Sequence, residues 1–440
     1  MATSSTAAVN VGTASISRTA HPPGLYVLFF TELWERYSFY SMVSILVLYM
    51  NESLGFDSAR AGSIYGWYTA GVYFLPIFGG LLADRWLGFS RSVLIGGTLM
   101  MIGHLVLGVE QLSAFYSGLV LLACGSGLLK PNISTMVGNL YRDRPDLRDQ
   151  AFNIFYMGIN IGSFMAPIGV SWIRARYGWG PAFMSAAVAM FISLVIFATF
   201  RHHVAAAAVR VNESQSDQAD HQPTDIRARL VTLLIVLVIS TVFWSAWYQE
   251  FFTFTLFARD NIATTIPPER FSSIEALAVI FLSPAAAWLW AVLSLRRREP
   301  STPTKMLMGI GFLALAFGLL AYAAMTGGDI GRVSVSWLIA ANILLAVGEV
   351  ALSPMGMSLV NRLAPPRLRG LMMGGWFASL ALGGKLSGYI GGYWDTIPHS
   401  RFFGGIALAL LAAAVPLSLM TPQIKRTIRG AEARESSVAH

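Results

Sequence analysis

The chain has 440 residues, 55% hydrophobic and only 12% charged, with a formal net charge of +8. Soluble domains average about 25% charged residues, so this composition excludes an ordinary soluble protein and reads as a polytopic membrane protein. The basic excess fits membrane loops that face the cell interior better than it fits a nucleic-acid surface. A single cysteine, Cys124, leaves no intrachain disulfide and no thiolate metal cluster.

Residues 1–23 are rich in Ser, Thr and Ala and lack the apolar core of a cleavable signal. They are expected to form a disordered cytoplasmic tail. Crossing a bilayer takes roughly 20 apolar residues. Twelve such spans are predicted, at 25–50, 61–83, 91–110, 113–140, 150–173, 181–200, 229–258, 271–295, 305–325, 334–361, 370–393 and 402–421. The first contains Glu32, Glu35 and Arg36, which share one helical face at i, i+3 and i+4, with Tyr40 continuing it. Charges at bilayer depth cost several kcal/mol unless they pair or line a wet cavity, so this helix is expected to border a polar path.

GGLLADRWLGFSR, 79–91, predicts a tight loop in which Asp84 caps or pairs at a helix end and Arg85 and Arg91 face the cytoplasm. His104 in the third span reads as a packed histidine. Lys130 precedes Pro131 in the fourth span, where a kink is expected. Its charge needs a carboxylate or water, and Glu32 and Glu35 are the candidate partners. In the fifth span Asn153 and Asn160 share a face, while Gly158 and Gly162 suit close helix packing.

The polar stretch 201–228 divides the chain into six-helix sets, 24–200 and 229–421, and reads as a disordered or weakly helical cytoplasmic linker. Residues 422–440 form a second cytoplasmic tail. The aromatic seventh span carries Gln249 and Glu250, about 100° apart on a helix. Glu275 opens the eighth span, either as a solvated helix start or as a cavity residue. Glu349 is a lone acid in the tenth, where Pro354 and Gly356 are expected to bend or break the helix. Trp376 supplies an apolar wall or a cation–π surface. Lys and Arg favour one set of loops by about threefold, which puts both termini in the cytoplasm of a multi-pass protein of the cell inner (plasma) membrane.

Two six-helix bundles joined by an inner linker make an all-α membrane protein with the major facilitator layout. The sequence contains no H-E-x-x-H or G-x-S-x-G motif, and it is not expected to be an enzyme.

ELWERYSFY, GGLLADRWLG, the LKPN run, FYMGINIG, GE with LSPMG, and GGWF are spread over 24–421. In these stretches the chain resembles the proton-dependent oligopeptide transporter family. That resemblance implies proton-coupled symport of di- and tripeptides by alternating access. The proton would be the coupling ion with no other cofactor, and the superfamily layout implies a monomer in the lipid bilayer without a nucleic-acid partner. By position, Glu32, Glu35, Arg36 and Lys130 match the family's proton-coupling cluster. Arg36 and Lys130 also match positions that meet a peptide carboxylate, and Asn160 and Glu349 match those that meet its amine. Tyr40, Tyr73 and Trp376 match pocket-lining positions, and Gln249 and Glu275 join the expected substrate set. The chain departs from the family pattern in three places. Segment 201–228 is too short for the two extra helices of many bacterial members. Tyr248 stands where an acidic or small residue is common, and Glu275 where peptide carriers usually have Asn. The alternative substrate is another small solute: a cationic peptide-like compound, nitrate or a secondary metabolite.

Overall fold

The computed structural model describes residues 21–208, 223–364 and 368–438. The amino-terminal tail up to residue 20 and linker positions 209–222 therefore lie outside the described residues. Thirteen α-helices are described: α1 Pro23–Glu52, α2 Ser58–Leu82, α3 Phe89–Leu107, α4 Leu112–Leu140, α5 Arg148–Tyr177, α6 Trp179–Phe200, α7 Pro223–Trp247, α8 Thr253–Asn261, α9 Ser272–Leu295, α10 Thr302–Thr326, α11 Val335–Leu363, α12 Arg369–Gly391 and α13 His399–Val438. With α7 and α8 taken together they make twelve spans. Ten are long and apolar enough to cross a bilayer by length and composition alone. The other two are α1, which carries the charged triad, and the glycine-rich α12.

Local chemistry sets several boundaries. Asp57 caps α2 by accepting the Arg60 amide at 2.8 Å. Gly178, at φ 87°, turns the chain from α5 into α6 in one residue, a conformation that costs other residues dearly. Asp84 differs from its expected role. It lies exposed on a π-helical turn, Ala83–Leu87, with no side-chain bond among the described residues, and Gly88 closes that turn at φ 76°. The described part of the linker is short helical structure. Residues 201–208 form two short 3-10 turns against α1 and α4, with Val204 and Ala207 buried, and α7 begins at Pro223. Beyond residue 421, α13 continues as helix to Val438.

In the amino-terminal bundle α1 packs on α5 and α6, and α4 on α2 and α3; in the carboxyl-terminal bundle α10 packs on α11 and α13, and α7 on α12 and α13. Both bundles use one device for a close helix crossing. A Cβ on Gly96 of α3 would fall 2.6 Å from the Gly125 carbonyl of α4, and one on Gly309 of α10 would fall 2.7 Å from the Gly348 carbonyl of α11. Side-chain-free positions are what let backbones approach so closely.

The bundles meet along two seams, α2 with α12 and α5 with α9. Both seams are tightest at the end of the molecule away from the chain termini. There the α2–α12 seam packs Gly62 onto Gly388, and the α5–α9 seam carries the Ser273 hydroxyl bonded to the Phe164 carbonyl at 2.8 Å. Beyond it Arg174 pairs with Glu269, Nε to Oε1 at 2.8 Å and Nη2 to Oε2 at 3.1 Å.

The seventh span is broken, whereas the sequence predicts one continuous helix. Helix α7 stops at Trp247, a 3-10 turn runs Tyr248–Phe251, and α8 resumes at Thr253. Irregular backbone at membrane depth survives only where protein satisfies it. Here the Tyr65 hydroxyl donates to the Tyr248 carbonyl at 3.0 Å and the Thr255 hydroxyl to the Glu250 carbonyl at 3.2 Å. Of the expected bend or break at Pro354, the break is absent, since α11 runs unbroken from Val335 to Leu363.

Candidate functional site

A cavity of about 640 Å³ lies between the bundles on the terminus side of the seams. Glu32, Arg36, Tyr73, Lys130 and Phe152 line it from the amino-terminal bundle, and Phe377 from α12. The helical spacing of the triad decides who pairs with whom. Arg36 Nε meets Glu32 Oε1 at 3.0 Å and also pairs with Glu35 Oε2. All three are buried, with Glu35 fully enclosed. Gly162 of α5 draws this face in: a Cβ there would lie 2.9 Å from Cβ of Arg36. Gly158 does the same beside Phe29, so both glycines serve the α1–α5 contact.

Lys130 does not have the carboxylate partner expected for it. Its Nζ has no hydrogen-bond partner and hangs over the Phe39 ring at 4.5 Å and the Tyr73 ring at 4.8 Å. Arg36 already occupies one oxygen of each acid, and Lys130 is held by aromatic faces instead. Nη2 of Arg36 is likewise unpartnered. Arg36 Nη2 and Lys130 Nζ therefore stand at the cavity wall without a hydrogen-bond partner of their own. Tyr73 on the wall meets the Tyr248 ring at 5.6 Å, and Tyr40, which is not on the cavity lining, meets the Phe251 ring at 5.8 Å, both pairs tilted.

Across the interface the carboxyl-terminal bundle presents acids. Glu349 of α11 lies against Glu275, Trp247 and Tyr156. Glu275 is 7% exposed, so it is not a solvated helix start. Asn160 donates to the Tyr156 carbonyl at 2.9 Å, and with Asn153 and Tyr156 it lines a second cavity of about 320 Å³ between α5 and α9.

Two expected site residues face elsewhere. Gln249 is fully buried; its amide donates to the Ser387 carbonyl at 2.9 Å and its oxygen accepts from Thr253 at 2.9 Å. These bonds pin the broken seventh span to α12 and leave the Gln249 carboxamide oxygen to Thr253 instead of a ligand. Trp376 is 1% exposed and seats its ring on Gly356, with no cation over it among the described residues. His104 is enclosed in α3 without a partner, as a packed histidine would be. Glu250 was not among the expected site residues. It sits on the 3-10 turn, 2% exposed, within electrostatic reach of Glu349 and Glu275. Its signal in the sequence was a second polar residue beside Gln249 in an aromatic span, the two too far apart in angle to face one point.

The family model described as "PTR2: POT family" matches residues 90–212 and 199–409. The peptide transporter YePEPT of Yersinia enterocolitica is 32% identical, over 95% of this chain and 97% of its own length. Dipeptide and tripeptide permease A of Escherichia coli is 28% identical, over 94% of this chain and 95% of its own. A crystal structure of a peptide transporter POT in complex with sulfate superposes with a TM-score of 0.86 at 30% identity, covering 93% of this chain and 96% of that one. These matches run through both six-helix bundles, and the chain belongs to the POT family.

Proposed function

We propose that the chain is a proton-coupled symporter that imports di- and tripeptides by alternating access, acting as a monomer in the cell inner (plasma) membrane with both termini in the cytoplasm. The observation that carries this reading is the polarity of the inter-bundle space. Unpartnered donors of Arg36 and Lys130 lie on one bundle, and Glu349 with Glu275 lies on the other. A zwitterionic peptide has its carboxylate and its amine at opposite ends, and such a pocket holds it lengthwise while its side chains meet aromatic rings. The acids count against a small anion such as nitrate, which would meet repulsion on one side. The peptide transporter and the di- and tripeptide permease among the relatives support the same substrate class.

Coupling follows from the shared use of Arg36. A proton arriving on Glu32 or Glu35 neutralises a carboxylate paired with the Arg36 guanidinium and frees the guanidinium's donors for the ligand carboxylate. The proton and the ligand then favour the same conformations, and each moves the equilibrium only by its differential affinity for them. The test is uptake of labelled Ala-Ala into proteoliposomes under a pH gradient. Glu35→Gln and Lys130→Ala are each expected to abolish accumulation, while gradient-independent counterflow persists in Glu35→Gln. Full gradient-driven uptake by either variant overturns the coupling scheme, and absence of dipeptide uptake by the parent protein overturns the substrate.

A further inference from the structure

Three carboxylates of the carboxyl-terminal bundle converge without a counter-cation. Glu275 on α9 and Glu349 on α11 lie against each other, and Glu250 reaches toward both from the break in the seventh span. Both oxygens of Glu250, Oε1 of Glu275 and Oε2 of Glu349 have no hydrogen-bond partner. Among the described residues none of the three is ion-paired with a lysine or arginine.

Two further observations point to a ligand. The Trp247 indole N–H is buried, faces Glu349 and makes no bond of good geometry. The 320 Å³ cavity between α5 and α9 adjoins the acids: its wall residue Tyr156 touches Glu349 and is in electrostatic reach of Glu275, and its wall residue Val279 is one helical turn beyond Glu275. That volume falls at the lower end of the range for small-molecule pockets. It suits the aliphatic stem of a long side chain whose charged head stays among polar groups.

We propose that this corner is a subsite for two positive charges, so that the preferred ligand is a short peptide whose first residue is lysine or arginine. The α-amine meets Glu349, and the side-chain cation meets Glu275 and Glu250. This deepens the peptide reading above and rests on it. A single ammonium pairs with one of the three buried acids and leaves the other two to be neutralised by protons. A second cation answers that deficit with charge-assisted hydrogen bonds. Arg36 and Lys130 stand on the other bundle and remain for the ligand carboxylate.

The test uses the full-length protein in proteoliposomes, with unlabelled Lys-Ala, Ala-Lys and Ala-Ala competing against labelled Ala-Ala in counterflow. Lys-Ala is expected to compete on the order of tenfold better than Ala-Ala, and Ala-Lys is not expected to share that advantage. The ratio between Lys-Ala and Ala-Ala should fall toward about unity in Glu275→Gln and in Glu250→Gln as one buried charge is removed. If a variant fails to fold, Glu275→Asn replaces it, and the ranking of the three peptides by the parent protein already decides. Equal competition by all three peptides, or an undiminished Lys-Ala advantage in both variants, overturns the two-cation subsite while leaving peptide transport standing. If no dipeptide competes, both readings fall together.

Discussion

The Arg174–Glu269 pair offers the sharpest test of how the two bundles move. Arg174 is near the end of α5 and Glu269 in the turn before α9, so the pair ties one bundle to the other at the end away from the termini. The Glu269 side chain is fully buried and that of Arg174 is 19% exposed. Arg174 also has Glu52 at 3.6 Å and the Trp179 ring at 4.8 Å. Removing one partner of a buried pair costs about 3–5 kcal/mol; with partial exposure and a second acid nearby, about 2–3 kcal/mol is the appropriate figure for Glu269→Gln. The bond exists only while that end is closed, so the whole cost falls on one conformation. At about 1.4 kcal/mol per factor of ten, the balance shifts toward opening at that end by about 30- to 150-fold. Spin labels at exposed Tyr177 and Ile266, with Cys124 replaced, straddle the pair. Double electron–electron resonance should show the longer separation gaining population in Glu269→Gln. The double charge swap, Arg174→Glu with Glu269→Arg, should recover part of the short one. An unchanged distance distribution would refute the idea that this pair holds that end shut.

Glu349→Gln should weaken binding of free dipeptides by roughly 1.5–3 kcal/mol, the worth of a charge-assisted bond, and change little for N-acetylated dipeptides, as isothermal titration can read. Equal losses for both would move Glu349 from recognition to structure. Gly388→Val places a branched side chain on the Gly62 carbonyl; the protein should remain folded by circular dichroism yet lose uptake, because the α2–α12 seam cannot close. Wild-type uptake would show that the seam tolerates separation. Gln249→Ala removes the bond to the Ser387 carbonyl and leaves the buried Thr253 hydroxyl without its acceptor, costing about 1–3 kcal/mol. It should lower the melting temperature while leaving the ranking among dipeptides as it was.

The spans and the charged face of α1 were legible because both rest on local rules: apolar length, and the i to i+4 spacing that hands Glu32 to Arg36. What escaped depends on contacts between distant segments. Lys130 was expected on an acid, but its helix meets α1 after Arg36 has occupied both acids, and the rings of Phe39 and Tyr73 receive it. The break after Trp247 has no glycine or proline to announce it; Tyr65 and Thr255 supply the bonds that make it tolerable. At Pro354 the sequence left bend or break open, and α11 carries the proline without interruption. The burial of Trp376 depends on Gly356 from another helix, and no window of sequence holds both. Glu275 was left between water and cavity, because a helix's first turn is acidic in either case; only its neighbours Glu349 and Tyr156 separate the two.

The unpartnered cationic donors of the inter-bundle space belong to one bundle, and Glu275 and Glu349 to the other. A ligand that satisfies both poles is therefore a strut, and its length sets how near the bundles can come while it is aboard. Selection by size then requires no residue that measures size. On the two-pole binding proposed above, a single amino acid is expected to brace the two walls less well than a dipeptide, and an overlong peptide to prop them apart and stall the cycle with the ligand still bound. Compounds of the second kind would be inhibitors by geometry alone, whatever their side chains.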